Sequence, residues 1–344
     1  MSNYTENKVR AGYARRKRRA ILATISLVLI AIVLMLLMLM LGNTNYSLAT
    51  IFEVLSGKQI QGASFAISTI RLPRMLAGAF TGFALGLAGS VFQKMLRNTL
   101  ASPDIVGVSA GTSMAAVFCI LILGLSGFMV SFIACIVGLL CALLIYALSN
   151  IGHFSTSRFV LIGIGMQSAI QAVISYMMVR ANQYEVTGAM RWLSGSLNGI
   201  QMKSIPLLAI VVIVFTLIIL LSERNLNILE LGEDLAAVLG VNLRISRIVL
   251  IVSAVCLIAF ATSVGGPIAF VSFLAGPIAL RLVGAGRSYA FASGLVGVIL
   301  VLAADLLGQF AFSTRFPVGV ITGVIGAPYL LLLLFGKSRK KGTL

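Results

Sequence analysis

The chain has 344 residues, 59% of them hydrophobic and only 10% charged, and a mean hydropathy of +1.07. This is more apolar surface than one water-soluble core can hide, which excludes a soluble domain and calls for a polytopic membrane protein. Lys and Arg number 26 against 9 Asp and Glu, but the bases sit in short gaps between apolar runs, where they report membrane topology and not a nucleic-acid surface.

In chain order, residues 1–19 read as a basic cytoplasmic tail, with KVRAGYARRKRRA running into apolar 21–41. At about 1.5 Å per residue that run spans about 31 Å, close to the ~30 Å hydrocarbon core, and no A-x-A site follows, so it reads as an uncleaved first helix. Ten spanning helices are predicted, over 20–42, 63–93, 107–124, 127–149, 158–180, 205–222, 244–264, 270–283, 289–310 and 317–336. The second is long enough to tilt and the eighth is short for a span. A basic tail, 337–344, follows. With both termini cytoplasmic, 19 of the 26 bases fall inside and 7 outside, the bias expected for an even number of crossings.

The second helix opens with RLPR. Pro73 suits a first helical turn, so the motif reads as a helix start at the exterior face with Arg71 and Arg74 flanking the proline. Two readings stand for these arginines: interfacial anchoring, or an outward pair that docks the carboxylates of a partner. Gly78, Gly82, Gly86 and Gly89 follow on one helical face and form a packing seam. RFPVGVITG, from Arg315, echoes the same pattern near the end of the chain.

Between the sixth and seventh helices, SERNLNILELGEDLAAVLGVNLRISR is the most polar interior stretch. Leu231, Leu235, Val238 and Leu239 recur at helical spacing, Glu233 and Asp234 load an N-terminal turn, and Gly240 stands where a helix stops. Acids on the polar face disfavour an anionic lipid surface, so this cytoplasmic helix is expected to rest in a protein groove.

Other candidates lead nowhere. Cys119, Cys135, Cys141 and Cys256 lie in apolar segments without metal spacing and read as packing residues, and His153 as a solvated loop residue. FGKS at 335–338 lacks the first glycine of a phosphate loop, Leu331 standing in its place. Asp305, the one acid inside a predicted helix, reads as a structural group bonded to backbone, since a proton relay needs a chain of titratable groups.

In this order, RLPR, NTLASPDIVGVSAG, STSR, RWLSGSL, LELGEDLAAVLGVN, GPIAFVSFLAGPIALRLVG and FPVGVITGVIGAPYLLLLL resemble the FecCD-type permeases from about residue 20 to 336. These are membrane subunits of bacterial ATP-driven importers for ferric siderophores, heme and cobalamin. The resemblance implies an all-α polytopic membrane protein of the type II importer fold in the bacterial cytoplasmic membrane. It would form one half of a pair with a sibling permease, work with two ATPase subunits and an extracytoplasmic substrate-binding protein, and carry no catalytic residue, metal or cofactor of its own. ATP and Mg would be bound by the partner ATPases.

By the same resemblance, residues 230–241 form the coupling helix that meets the ATPase, with Glu230, Leu231, Gly232, Glu233, Asp234, Leu235, Leu239 and Gly240. Arg71, Arg74 and Arg315 would face the binding protein, Asn98, Leu100, Thr156 and Ser157 would close the cytoplasmic gate, and Gln167 and Gln171 would line the pathway with the last helix. The chain departs from the pattern at Gln309, where some relatives carry a third docking arginine, at Arg315, a frequent glutamate, and in AGPIAL. Gln309 and RWLSGSL resemble the second permease of catecholate-siderophore pairs, which implies a sibling of different sequence. An iron–siderophore chelate is thus the expected cargo, with heme or cobalamin as the alternative in the family. An ion-coupled secondary transporter or a membrane enzyme would need titratable clusters that the sequence does not offer.

Overall fold

The computed structural model describes residues 2–99, 101, 107–151, 155–284 and 288–341, all helix, turn and coil with no strand among them. The helices are α1 (Ser2–Met40), α2 (Leu48–Leu55), α3 (Leu72–Met95), α4 (Val108–Leu121), α5 (Phe128–Ser149), α6 (Thr156–Arg180), α7 (Gln183–Leu193), α8 (Ile205–Leu221), α9 (Glu223–Leu229), α10 (Glu233–Val238), α11 (Leu243–Gly265), α12 (Val271–Val283), α13 (Ala290–Phe310) and α14 (Val318–Lys341). Seven of these segments are long and apolar enough to cross a membrane, and three shorter apolar ones lie at Val108–Leu121, Val271–Val283 and Val318–Leu332. Together they are the ten predicted segments, with ends moved by a few residues.

Four local features differ from the sequence reading. The basic stretch ahead of the first span is not a loose tail: helix runs from Ser2 without a break, because the segment holds good helix formers and no proline. RLPR opens α3 with Pro73 in its first turn, but helical chain already precedes it. A π-helical turn, Phe65–Arg71, leads straight into α3, and the missing N–H of Pro73 falls where the wider turn hands over to the α-helix. Three short helices, α2, α7 and α9, lie outside the predicted spans, since each is too brief for its periodicity to stand out against apolar neighbours. Asp305 is bonded to side chains and not to backbone, as described below.

The core is built round α3, which packs chiefly on α13 and then on α11 and α12. Almost every residue from Ala77 to Lys94 is buried. The seam expected of its glycines is present: a Cβ on Gly297 of α13 would overlap the carbonyl oxygen of Gly82, and one on Gly86 would overlap that of Ser293. Backbone thus meets backbone, the geometry that helices use in lipid, where no hydrophobic force drives them together. α1 lies outside this core. One side covers α12 and α13, while Ile21, Leu22, Ile25, Leu29 and Val33 point away and form a hydrocarbon-facing stripe.

Contacts define two ends. At one, Arg315 reaches Asn43 at 2.6 Å, Gly319 N–H bonds Gly195, and Arg74 meets Asp305. At the other, Arg19 donates to the carbonyls of Arg281 and Leu282 at the end of α12, Lys94 meets Asn227, and Arg247 meets Glu233. Arg281 in turn donates to Tyr329 as α14 runs toward this second end. The start of α1 and the end of α14 therefore share one end, as an even number of crossings requires.

Gly297→Val should collapse the yield of folded protein, since overpacking costs about 1–3 kcal/mol in a soluble core and here strikes rigid backbone. Gly323→Ala, at a helical position with open space around it, should be neutral or stabilising by up to about 1 kcal/mol. Size-exclusion profiles and melting temperatures in detergent measure both.

Candidate functional site

The Arg74 end is held by two arginines with different duties. Arg71 caps α1: its Nη1 donates to the carbonyls of Leu39 and Met40 at 2.8 and 2.9 Å, and its Nη2 to that of Thr44 at 2.6 Å. The Leu39 and Met40 carbonyls end α1, where a cation is also favoured by the dipole, and that of Thr44 belongs to the loop that follows. Tyr46 places its ring 4.8 Å from the guanidinium carbon. Arg74 forms a two-pronged pair with Asp305, Nε to Oδ2 at 2.8 Å and Nη2 to Oδ1 at 2.9 Å. Gln309, one turn on, donates a third bond to the same carboxylate at 2.7 Å.

The Asp305 side chain is only 1% exposed and that of Arg74 16%. A carboxylate so placed is tolerated because a planar fork and an amide satisfy it. The backbone partner expected for Asp305 gives way to Arg74 and Gln309 for this reason: inside a helix the backbone N–H groups already donate to carbonyls, so only side-chain donors are available to a carboxylate. Gln309 is occupied in the same cluster. Arg71 and Arg74, expected to present their charges outward, are both engaged within the chain, while Arg315 is exposed and bonded to Asn43.

The opposite end carries the acidic segment. α9 follows α8 directly and is anchored by buried Leu226 and Leu229 and by Asn225, which donates to Ser246 of α11 at 3.1 Å. Gly232, with φ +123°, reverses the chain into α10, a turn that a side chain would resist. α10 buries Ala236, and Glu233 pairs with Arg247 of α11. It ends as the sequence suggests: Gly240 is left-handed, and the N–H groups of Val241 and Gly240 bond Ala236 and Ala237, a Schellman closure. Leu231, Leu235, Val238 and Leu239 are 60, 55, 85 and 57% exposed. The apolar face points away from the bundle, beside the acids of the first turn.

A polar cavity of about 190 Å³ lies between this segment, the end of α3 and the start of α6, lined by Arg97, Ser157, Glu233 and Arg247 with Met95, Leu96 and Leu229. Arg97 carries φ +50°, rare for a side chain with a Cβ. It closes α3 in the same Schellman pattern, Asn98 N–H to Gln93 and Arg97 N–H to Lys94, at a position where glycine is usual. Strain of this kind at a cavity mouth marks a side chain kept for something other than stability. Of the four predicted gate residues, Ser157 lines this cavity and Asn98 borders it in sequence. Thr156 opens α6, and Leu100 lies outside the described residues, as does His153.

Gln167 and Gln171 sit one turn apart on α6, both exposed alongside Leu161, Ile164 and Tyr176. A helix in lipid does not ordinarily offer carboxamides to hydrocarbon. Cys119, Cys135 and Cys141 are buried, and among the described residues no group of three His, Cys, Asp or Glu could hold a metal. Sequence reasoning missed the partnerships of Asn227, Ser288 and Arg247, because nothing in their spacing announces residues so far away in the chain.

A bundle of apolar crossings, stapled at one end by buried polar bonds and carrying an exposed acidic knob at the other, is the build of a polytopic membrane protein. The chain belongs to the FecCD transport family, whose profile matches residues 29–336. It is 32% identical over 325 residues to the ferric enterobactin transport system permease protein of Escherichia coli K12, covering 94% of this chain and 98% of that one. To the Fe(3+)-citrate import system permease protein of Bacillus subtilis 168 it is 35% identical over 330 residues, covering 95% and 98%. A solved inward-facing structure of a putative metal-chelate type ABC transporter superposes with a TM-score of 0.82 at 25% identity, covering 91% of this chain and 98% of that one.

Asp305→Ala should destabilise the protein strongly, because breaking a buried pair costs about 3–5 kcal/mol, less here by the share of Arg74 that water reaches. Arg74→Met with Asp305→Leu should recover most of that loss, as read by thermal unfolding in detergent. Arg97→Gly should raise stability by up to about 1 kcal/mol through relief of the left-handed backbone, while uptake by the assembled transporter falls severalfold; unfolding and transport assays on one preparation separate the two.

Proposed function

We propose that this chain is the permease subunit of an ATP-driven importer that moves a ferric siderophore across the bacterial cytoplasmic membrane by alternating access. The observation that carries the reading is α10, an apolar and acidic face that the chain itself leaves uncovered. Such a face in water calls for a partner groove, and the ATPase subunit supplies one. The α10 end is then cytoplasmic, together with both termini, in keeping with the excess of basic residues on that side. Glu230–Leu231–Gly232–Glu233–Asp234–Leu235 and Leu239–Gly240 form the handle, and Asn98, Leu100, Thr156 and Ser157 close the pathway beside it.

The exposed Gln167 and Gln171 support a second permease against α6, with the pathway between the two. A sibling of different sequence suits the resemblance to catecholate-siderophore pairs. The binding protein docks at the opposite end, where Arg315 is one of several exposed bases and where a partner carboxylate approaching Arg74 must compete with Asp305. ATP and Mg stay on the ATPases, and this chain makes and breaks no bonds. Iron citrate and enterobactin, the cargoes named for its relatives, support a ferric chelate.

In proteoliposomes holding the assembled transporter, uptake of ferric siderophore should require ATP and the binding protein. Uptake driven by a sodium or pH gradient with the permease alone would overturn the proposal. Leu235→Glu with Val238→Glu should abolish co-purification of the ATPase and lower uptake by about 100-fold, in line with the loss of an interface hot spot, with the permease still folded. Retained ATPase would remove α10 as the handle.

A further inference from the structure

Lys94 ends the most buried helix of the protein, and its side chain is 1% exposed. Its Nζ donates to Asn227 Oδ1 at 2.7 Å and to Ser288 Oγ at 3.4 Å, and stands 4.3 Å from the ring centroid of Tyr289. Ser288 in turn donates to the carboxylate of Glu223. One ammonium therefore gathers α3, the α9 segment twice over, and the two residues that lead into α13. Burying a cation among neutral acceptors is expensive, and a methionine of the same length would fill the space without that cost. What the ammonium adds is direction, since its N–H bonds hold several elements in one register.

At the opposite end Arg74 and Asp305 tie α3 to α13 again, and between the two ties their backbones touch along the glycine seam. α3 and α13 are thus a pair clamped at both ends. Only the Lys94 clamp also includes α9, from which α10 hangs. The other bonds of that segment, Asn225 to Ser246 and Glu233 to Arg247, lead to α11.

We propose that Lys94 is a positioning residue of the transport cycle: through Asn227 and the Ser288–Glu223 bond it fastens the α9–α10 segment to the clamped α3–α13 pair, so that a displacement imposed on α10 moves both helices as one body. The proposal rests on the reading that α10 receives the ATPase.

The test uses the whole transporter, with its ATPases and binding protein, in proteoliposomes. Lys94→Met should leave the ATPase co-purifying, because the face of α10 is untouched, and should lower the chelate imported per ATP hydrolysed by about tenfold, the scale on which single residues modulate coupling between sites. Lys94→Arg should keep a larger share. Spin labels at Arg224→Cys and Phe291→Cys, on α9 and α13, should give one narrow distance with and without ATP when Lys94 is present, and a broadened, nucleotide-dependent one in Lys94→Met. A lysine that only stabilises the fold would lower the melting temperature and leave both readouts as they were, and that result overturns the proposal. Should Lys94→Met fail to assemble, Asn227→Ala keeps the charge and carries the same test, an unchanged import ratio being decisive against it. ATPase absent from preparations of the unaltered chain would instead remove the docking reading, and this proposal with it.

Discussion

The close approach of α3 and α13 is the constraint from which the rest of the architecture follows. Where a glycine on each helix faces the carbonyl of the other, the two cannot slide or separate by degrees; they hold one crossing or lose it. The helices that surround them, α11 and α12 on one side and α1 on another, inherit their positions from this pair. Charged groups appear at its two ends, where the lipid gives way to interface and a polar bond can be made without crossing hydrocarbon.

Those polar ends are not alike. At the Arg74 end the two arginines of α3 and the turn before it are met by carbonyls, a carboxylate and an aromatic ring, which fix α1, α3 and α13 against one another. The Lys94 end is open: α10 presents leucines to water, Arg97 sits in a strained backbone at a polar cavity, and the bonds that secure α9 reach two different parts of the core. Rigidity at one end and exposure at the other suit a subunit that is worked from one side.

Much of this was legible from residue order. Long apolar runs gave every membrane segment, because in lipid hydrophobic length and helix are nearly the same statement. The glycine spacing in α3 announced the seam, and Gly240 announced the end of α10, since both depend on local backbone geometry. What the order of residues did not disclose was partnership at a distance. Arg74 and Asp305 are 231 positions apart, and no local rule joins them; the same holds for Lys94 with Asn227 and for Arg71 with the end of α1. Short helices such as α7 were hidden for another reason, as a few turns between longer apolar neighbours carry too little pattern to be seen.

Gln167 and Gln171 have a consequence for the life of the protein before it ever transports anything. A copy of this chain inserted alone offers two carboxamides to the acyl chains, each costing about 2–7 kcal/mol if left without a partner. On the proposed pairing, a copy without its companion would carry that cost until another surface covered this face of α6.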